Sequence, residues 1–356
     1  MRIALDLFRP RSPETDALGA FVAALVLTGL GLLCVYSFGA EHVVRQAAWA
    51  ALAVAASIAV SRVKLDNLRR AATPALAVSA ALLVTALLFA PTIAGTKRWL
   101  VIPSVGVFQP SEIAKVAVVL FLAARLADAR AGEALLPRVW PVAPVCLLVL
   151  LAPDLGTTVF LAALVTALLL VAGARVGRLL GAGVAAIVLL FLVASQVPYM
   201  RRRLDFFEGE LNYQQVQALI AFGSGGLMGN GLGGGRQKLD YLPAGHTDFV
   251  LPNIGEELGF LGVAAVGLLF GLLCVHGVRV ALSAARRGET FGFYVASGAT
   301  FLVVFQAVVN MAVALAAAPT KGISLPFLSQ GGSNLLAALL AVGLIVNVGR
   351  SLEARR

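Results

Sequence analysis

An all-α, polytopic integral membrane protein of about ten transmembrane helices is the fold this sequence predicts, and composition, run length and charge distribution carry that expectation. Of the 356 residues, 60% are hydrophobic and 13% charged, with a mean hydropathy of +0.91. A soluble domain usually carries about 25% charged residues. The apolar residues fall in runs of roughly 18 to 25, the length a helix needs to cross about 30 Å of hydrocarbon at 1.5 Å per residue. Unpaired backbone amides in hydrocarbon cost several kcal/mol each, so these runs are helices and not lipid-exposed loops.

Helices are expected at roughly 17–38, 44–61, 72–91, 110–126, 140–153, 155–173, 179–197, 257–278, 291–317 and 333–349. The segments that then alternate on one side are 1–16, 62–71, 125–139, 174–178, 279–289 and 350–356. They hold 18 of the 28 Lys and Arg residues, from Arg2, Arg9 and Arg11 to Arg350, Arg355 and Arg356. This is the positive-inside pattern, which makes both termini cytoplasmic. The net charge of +10 therefore orients the chain in a membrane and does not mark a nucleic-acid binder. Residues 1–356 read as a single transmembrane domain with cytoplasmic tails at 1–16 and 350–356. A large extracytoplasmic loop, 198–256, separates the seventh and eighth helices. The N-terminus lacks the apolar region and small-residue cleavage site of a signal peptide. Cys34, Cys146 and Cys274 lie inside apolar runs, with no metal or disulfide spacing.

The polar residues of interest collect in three outer segments, 92–111, 198–256 and 318–332. Residues 212–222, NYQQVQALIAF, read as a short amphipathic helix lying along the membrane surface. The Gly-rich run 223–235 has no preceding strand and no following Gly-Lys-Ser/Thr, so tight turns and close backbone approach explain it better than a phosphate loop. Asp248 sits just before a spanning helix beside Phe249, Val250 and Leu251, where burial would shift a carboxyl group's titration. Glu256 and Glu257 are expected at that helix's N-terminus, favourable to its dipole. Glu112 and Lys115 are three apart on one helical face and suit a structural ion pair, with each other or with Asp154. Lys97, Arg98 and Lys321 share the side of Asp248 and would suit an anionic headgroup such as a pyrophosphate.

At these residues the chain resembles the SEDS family (shape, elongation, division, sporulation) of bacterial peptidoglycan polymerases, over nearly its whole length. The motifs that carry the resemblance are KRWLVIPSVGVFQPSEIAKV at 97–116, APDLGT at 152–157 and YQQVQALIAFGSGGLMGNGLG at 213–233. QKLDYLPAGHTDFVLPNIGEELGFLG at 237–262 and PTKGISLPFLSQGGSNL at 319–335 complete the set. QKLDYLPAGHTDF, QAVVNMAVAL at 306–315 and PTKG look more like the family's division branch than its elongation branch. The chain departs from the family pattern at Gln330, where Tyr is usual, and at Asn334, where Ser is usual. It departs also at Leu251-Pro252 and in a shortened segment between Arg203 and Tyr213.

The resemblance implies polymerisation of lipid II on the outer face of the bacterial cytoplasmic (inner) membrane, in division or shape maintenance. It maps the family's catalytic acid onto Asp248 as general base, with polyprenyl pyrophosphate leaving. Lys97, Arg98, Lys321 and Ser329 become candidate contacts to the substrate, and a divalent cation, Mg or Mn, is compatible with the pyrophosphate chemistry. Implied partners are a class B penicillin-binding protein, since the chain has no transpeptidase segment, and divisome or elongasome regulators. The alternative from another class is a flippase or transporter of the lipid-linked precursor. It would use Glu112, Lys115 and Asp154 within the membrane but would not need an outer base such as Asp248.

Overall fold

The computed structural model describes residues 12–93, 95–102, 106–130, 133–177, 211–239, 241–320 and 322–354, with 179, 181 and 183. Most of the expected helix at 179–197, Lys321, and residues 198–210 and 240 of the expected loop 198–256 fall outside these residues. Six described helices are long and apolar enough to cross a membrane, and the expected all-helical polytopic fold is the one observed.

Helix α1 (Pro13–Tyr36) opens with a proline at its first turn, where the missing N–H costs nothing. Its buried stripe, Ala17, Ala20, Ala24 and Leu27, is mostly small, which lets neighbouring backbones approach closely. Helices α2 (Ala40–Ser61) and α3 (Leu65–Phe89) follow. Two short strands, β1 (Leu100–Ile102) and β2 (Gly106–Phe108), pair antiparallel before α4 (Pro110–Ala127). A short α5 (Leu136–Val139) and a 3-10 turn (Trp140–Val142) lead into α6 (Ala143–Leu151), then α7 (Leu155–Val171). After α8 (Tyr213–Gly225) come α9 (Val250–Arg286), α10 (Thr290–Ala314) and α11 (Gly332–Glu353).

The centre of the bundle is α4, α10 and α11, each packed on the other two. Helices α1 and α2 flank α11, and α3 flanks α4. Close approach is built on glycine where side chains face backbone or ring. A Cβ on Gly332 would enter the Trp49 ring, and one on Gly31 would meet the Phe327 carbonyl. Gly349 of α11 packs on Pro13 and Ala17 of α1, so both described chain ends meet at one end of the bundle. The hairpin and the loops 226–249 and 315–331 gather at the other end, the loop face.

Three details differ from the sequence expectation. Helix α3 starts at Leu65, ahead of the expected 72, and draws Arg69 and Arg70 into its first turns. There Arg69 pairs with Asp128 across the end of α4. The segment 92–111 is no plain loop but contains the hairpin. Helix α9 begins seven residues early and breaks at Gly259, whose φ of 68° and ψ of −166° are not helical. Asp248 therefore precedes a short arm, 250–258, and not the spanning arm, 260–286.

Candidate functional site

A cavity of about 290 Å³ opens at the loop face, and three chain segments line it. Arg98, Trp99, Val107 and Gln109 come from the hairpin segment, and Thr247 and Asp248 from the loop before α9. Gly322, Ser324 and residues 330–334 come from the loop before α11 and its first turn.

Local backbone chemistry fixes Asp248. Ala244, at φ 59°, turns the chain so that its carbonyl accepts from the amides of Thr247, Asp248 and Phe249. The Asn253 amide donates to Gly245 O at 2.8 Å and to Phe249 O at 3.3 Å, tying the turn to the short arm. From α10, the Asn310 amide donates to Asp248 O and Ile323 O, both at 2.8 Å. One buried side chain thus sets the acid's backbone against the loop before α11. Phe249 is buried beneath it, while Asp248 itself is partly exposed.

The opposite wall is cationic. Asp248 Oδ2 lies 3.3 Å, and Arg98 Nη2 4.0 Å, from the position a Cβ would take on Gly322. Acid and guanidinium therefore face one another across a glycine, and any larger residue there would enter the space between them. Arg98 is held by Trp99, whose ring centroid lies 4.0 Å below its guanidinium, and by Asp154 at 3.8 Å. Asp154 is itself fixed as the N-cap of α7, accepting from Thr157 N at 3.1 Å and Thr157 Oγ1 at 2.9 Å. It also accepts from Gln109 Nε2 at 3.2 Å.

His246, two residues before the acid, stacks on His42 with ring centroids 6.1 Å apart and meets Phe38 edge-on at 5.9 Å. Gln330 Nε2 lies 3.1 Å from His42 Nδ1, and Gln330 N donates to His246 O. Burial, then the charge of His42, hold the His246 imidazole below its ordinary range.

Beneath the cavity floor a polar chain enters the bundle. Lys115 Nζ lies 2.8 Å from Glu112 Oε2 and donates to Gln306 Oε1 at 2.6 Å. Gln306 Nε2 donates to Ser324 O at 2.9 Å and to Asn334 Oδ1 at 2.8 Å. Glu112 and Lys115 pair with each other, and Asp154 belongs to the separate Arg98 cluster.

The Gly-rich run closes a backbone clasp onto the break in α9. Asn230 N and Gly231 N donate to Glu256 O and Glu257 O, and Phe260 N donates to Gly226 O. A Cβ on Gly229 or Gly259 would strike this interface, and Gly226, Gly229, Gly231 and Gly233 all have positive φ. The glycines thus serve turns and close approach. Glu256 and Glu257 end the short arm and do not start a helix, so the dipole expectation fails for them. Glu256 accepts from the amides of Arg236 and Gln237 at 2.9 and 3.0 Å, and Glu257 pairs with Lys238 at 2.9 Å. Helix α8 spans the expected 212–222 stretch and is capped by Asn212, with Tyr213, Val216, Leu219 and Ile220 exposed.

Of the residues singled out from sequence, Asp248 and Arg98 come together in the cavity. Lys97 is exposed and does not line it. Ser329 does not reach it either, because its hydroxyl is buried and accepts from Leu325 N at 2.7 Å, closing its own turn. Gln109, Gln306 and Asn310 were not singled out, although Gln306 and Asn310 are polar residues one turn apart inside an apolar run, which marks a helix facing protein. Among the described residues no three His, Cys, Asp or Glu side chains form a metal-ligand cluster.

Fold and cavity together define a multi-pass membrane protein with a polar chamber framed by loops at one end of a helical bundle. The profile of the FTSW_RODA_SPOVE family, described as cell cycle protein, matches residues 17–354, and the chain belongs to this family. Among its relatives is the probable peptidoglycan glycosyltransferase FtsW of Trichlorobacter lovleyi, 36% identical over 92% of this chain and 92% of that protein. The protein of the same description from Geobacter sulfurreducens is 35% identical, over 93% and 94%. A chain from a peptidoglycan synthase complex, described for its coordination of polymerization and crosslinking, superposes with a TM-score of 0.76 at 28% identity, covering 94% and 98%. The rod shape determining protein RodA of Thermus thermophilus gives 0.70 at 29% identity, covering 93% and 96%.

Proposed function

We propose that this chain is a peptidoglycan glycosyltransferase that polymerises lipid II at the outer face of a bacterial inner membrane, with Asp248 as general base. The observation that carries the reading is the placement of Asp248 Oδ2 and Arg98 Nη2 on either side of Gly322 in one loop-face cavity. The Asp248 carboxylate takes the proton of an acceptor sugar hydroxyl as that oxygen attacks the donor's anomeric carbon. The bond from that carbon to the polyprenyl diphosphate breaks, and the diphosphate leaves with the bonding electrons. Arg98 supplies positive charge to the leaving group. A divalent cation would add to that charge, and the steps here run through side chains alone. The loop face is then extracytoplasmic and the end where Pro13 meets Gly349 cytoplasmic, in keeping with the distribution of Lys and Arg. The name of the structurally similar synthase complex supports a cross-linking partner, a single-span class B penicillin-binding protein.

The test is Asp248→Asn, which keeps the shape but cannot accept the proton. Polymer formation from labelled lipid II should fall by roughly 10²–10⁴-fold, the share a general base contributes. Lipid II affinity and melting temperature should hold. Near-normal polymerisation would remove Asp248 from the role. Loss of activity together with unfolding would assign it to the turn alone.

A further inference from the structure

The polar chain below the cavity is directional. Lys115 has only donors and is 2% exposed, so the Gln306 oxygen must face it. The Gln306 nitrogen then points the other way, and the Ser324 carbonyl, which only accepts, demands the same orientation from the far end. With that nitrogen fixed as donor, Asn334 must offer Gln306 its Oδ1. The Asn334 nitrogen is thereby turned away from Gln306, with the Leu325 carbonyl a long contact at 3.5 Å, in a residue that lines the cavity. Asn334 is 6% exposed, so an amide held this way has little water to satisfy its second hydrogen. It stands in the first turn of α11, whose N-terminal end carries positive partial charge, on the wall that continues to Arg98.

We propose that Asn334 is a substrate-binding donor, its Nδ2 presented to an anionic oxygen of the lipid-linked diphosphate, with Lys115 and Gln306 as positioning residues that set its orientation. The proposal rests on the reading of the cavity as the lipid II site and names which side chain takes the diphosphate. Asn334 also departs from the Ser expected of the family, so an amide stands here where a hydroxyl is usual.

The experiment uses the purified full chain in nanodiscs, with farnesyl diphosphate and farnesol as probes and binding measured without turnover. Asn334→Asp puts an acceptor where the donor stood. It should weaken farnesyl diphosphate by about 10–100-fold, the range of a hydrogen bond to a charged group, and leave farnesol unchanged. Asn334→Ser retains a donor and should keep most of the preference for diphosphate over alcohol. Gln306→Glu cannot donate to Asn334 Oδ1, so the amide should turn over and the preference fall without any change in a cavity-lining residue. Unchanged diphosphate affinity in Asn334→Asp, or equal loss of both probes, would overturn the subsite. Loss in Asn334→Asp with full preference in Gln306→Glu would overturn the positioning role. Failure of Asp248 as base would appear only in polymer formation, so the two readings fail separately.

Discussion

Asp248 and Asp16 are both acids at the edge of a membrane bundle, and the structure treats them in opposite ways. Asp16, in the first turn of α1, is fully buried. His276 Nδ1 lies 2.9 Å from its Oδ1 and Arg279 Nη1 3.2 Å, both on the long arm of α9, and Gly19 leaves room for the His276 ring. Its charge joins two helices. Asp248 is held by its backbone, through Ala244, Asn253 and Asn310, and its carboxylate stands at a cavity wall opposite Arg98. The main-chain bonds around Asp248 fix its place in the turn and set its carboxylate at the cavity wall, whereas the carboxylate of Asp16 itself joins two helices.

Exchanging each acid for a neutral residue breaks the comparison most sharply. Asp248→Asn should abolish most polymerisation while the melting temperature holds, as set out above. Asp16→Ala should do the reverse, because it removes a buried carboxylate that both His276 and Arg279 meet. Breaking a buried pair from one side costs about 3–5 kcal/mol. Thermal unfolding in nanodiscs should shift down markedly, while polymerisation per folded molecule at low temperature stays near wild type. If Asp16→Ala lost activity at full stability, the distinction between the two ends would be wrong.

A smaller effect is expected at the clasp, where the Gly-rich run meets the break in α9 through backbone hydrogen bonds. Gly259 occupies a region of φ/ψ open essentially to glycine, and a Cβ would collide with Leu227 and Gly229. Gly259→Ala should cost about 1–3 kcal/mol from backbone strain. Hydrogen exchange should quicken at the amides of Asn230, Gly231 and Phe260, which donate across the clasp, before the rest of α9 opens. Unchanged exchange at these amides would mean that the Gly-rich run is held by something other than the break.

The spanning helices were legible because hydrocarbon imposes a length and a polarity that any window of sequence displays. The candidate acid was legible too, since a carboxyl between His246 and Phe249 at the end of a polar loop is unusual on composition alone. The break at Gly259 was not, because a glycine inside an apolar run looks the same whether it packs in a helix or ends one. Only the approach of Gly229 to the Glu257 carbonyl decides it. Ser329 was expected at the substrate, yet its hydroxyl closes its own turn while Asn334 lines the cavity, and a hydroxyl and an amide five residues apart carry no sign of which one does so. Spacing foretold Glu112 as a partner of Lys115 but not Gln306, which is on another helix, because long-range pairing is not written in spacing.

The smallest expected effect separates the two ends by pH. His246 is held below its ordinary value of 6.5 by burial and by His42, so the folded chain favours the neutral ring. The unfolded chain then binds more protons between that lowered value and 6.5, and stability falls as pH drops through this window. Above it, both states are neutral and the contribution is level. Unfolding of the wild type should therefore come at a lower temperature at pH 5.5 than at pH 7.5. His246→Phe keeps a ring against Phe38 and His42 but has no proton to gain, so its unfolding temperature should fall less over the same interval. Since Gln330 N donates to His246 O, the acid-induced loosening should reach the loop before α11 first, with faster amide exchange at Gln330 and Gly331. An identical pH response in wild type and His246→Phe would move the titrating group elsewhere.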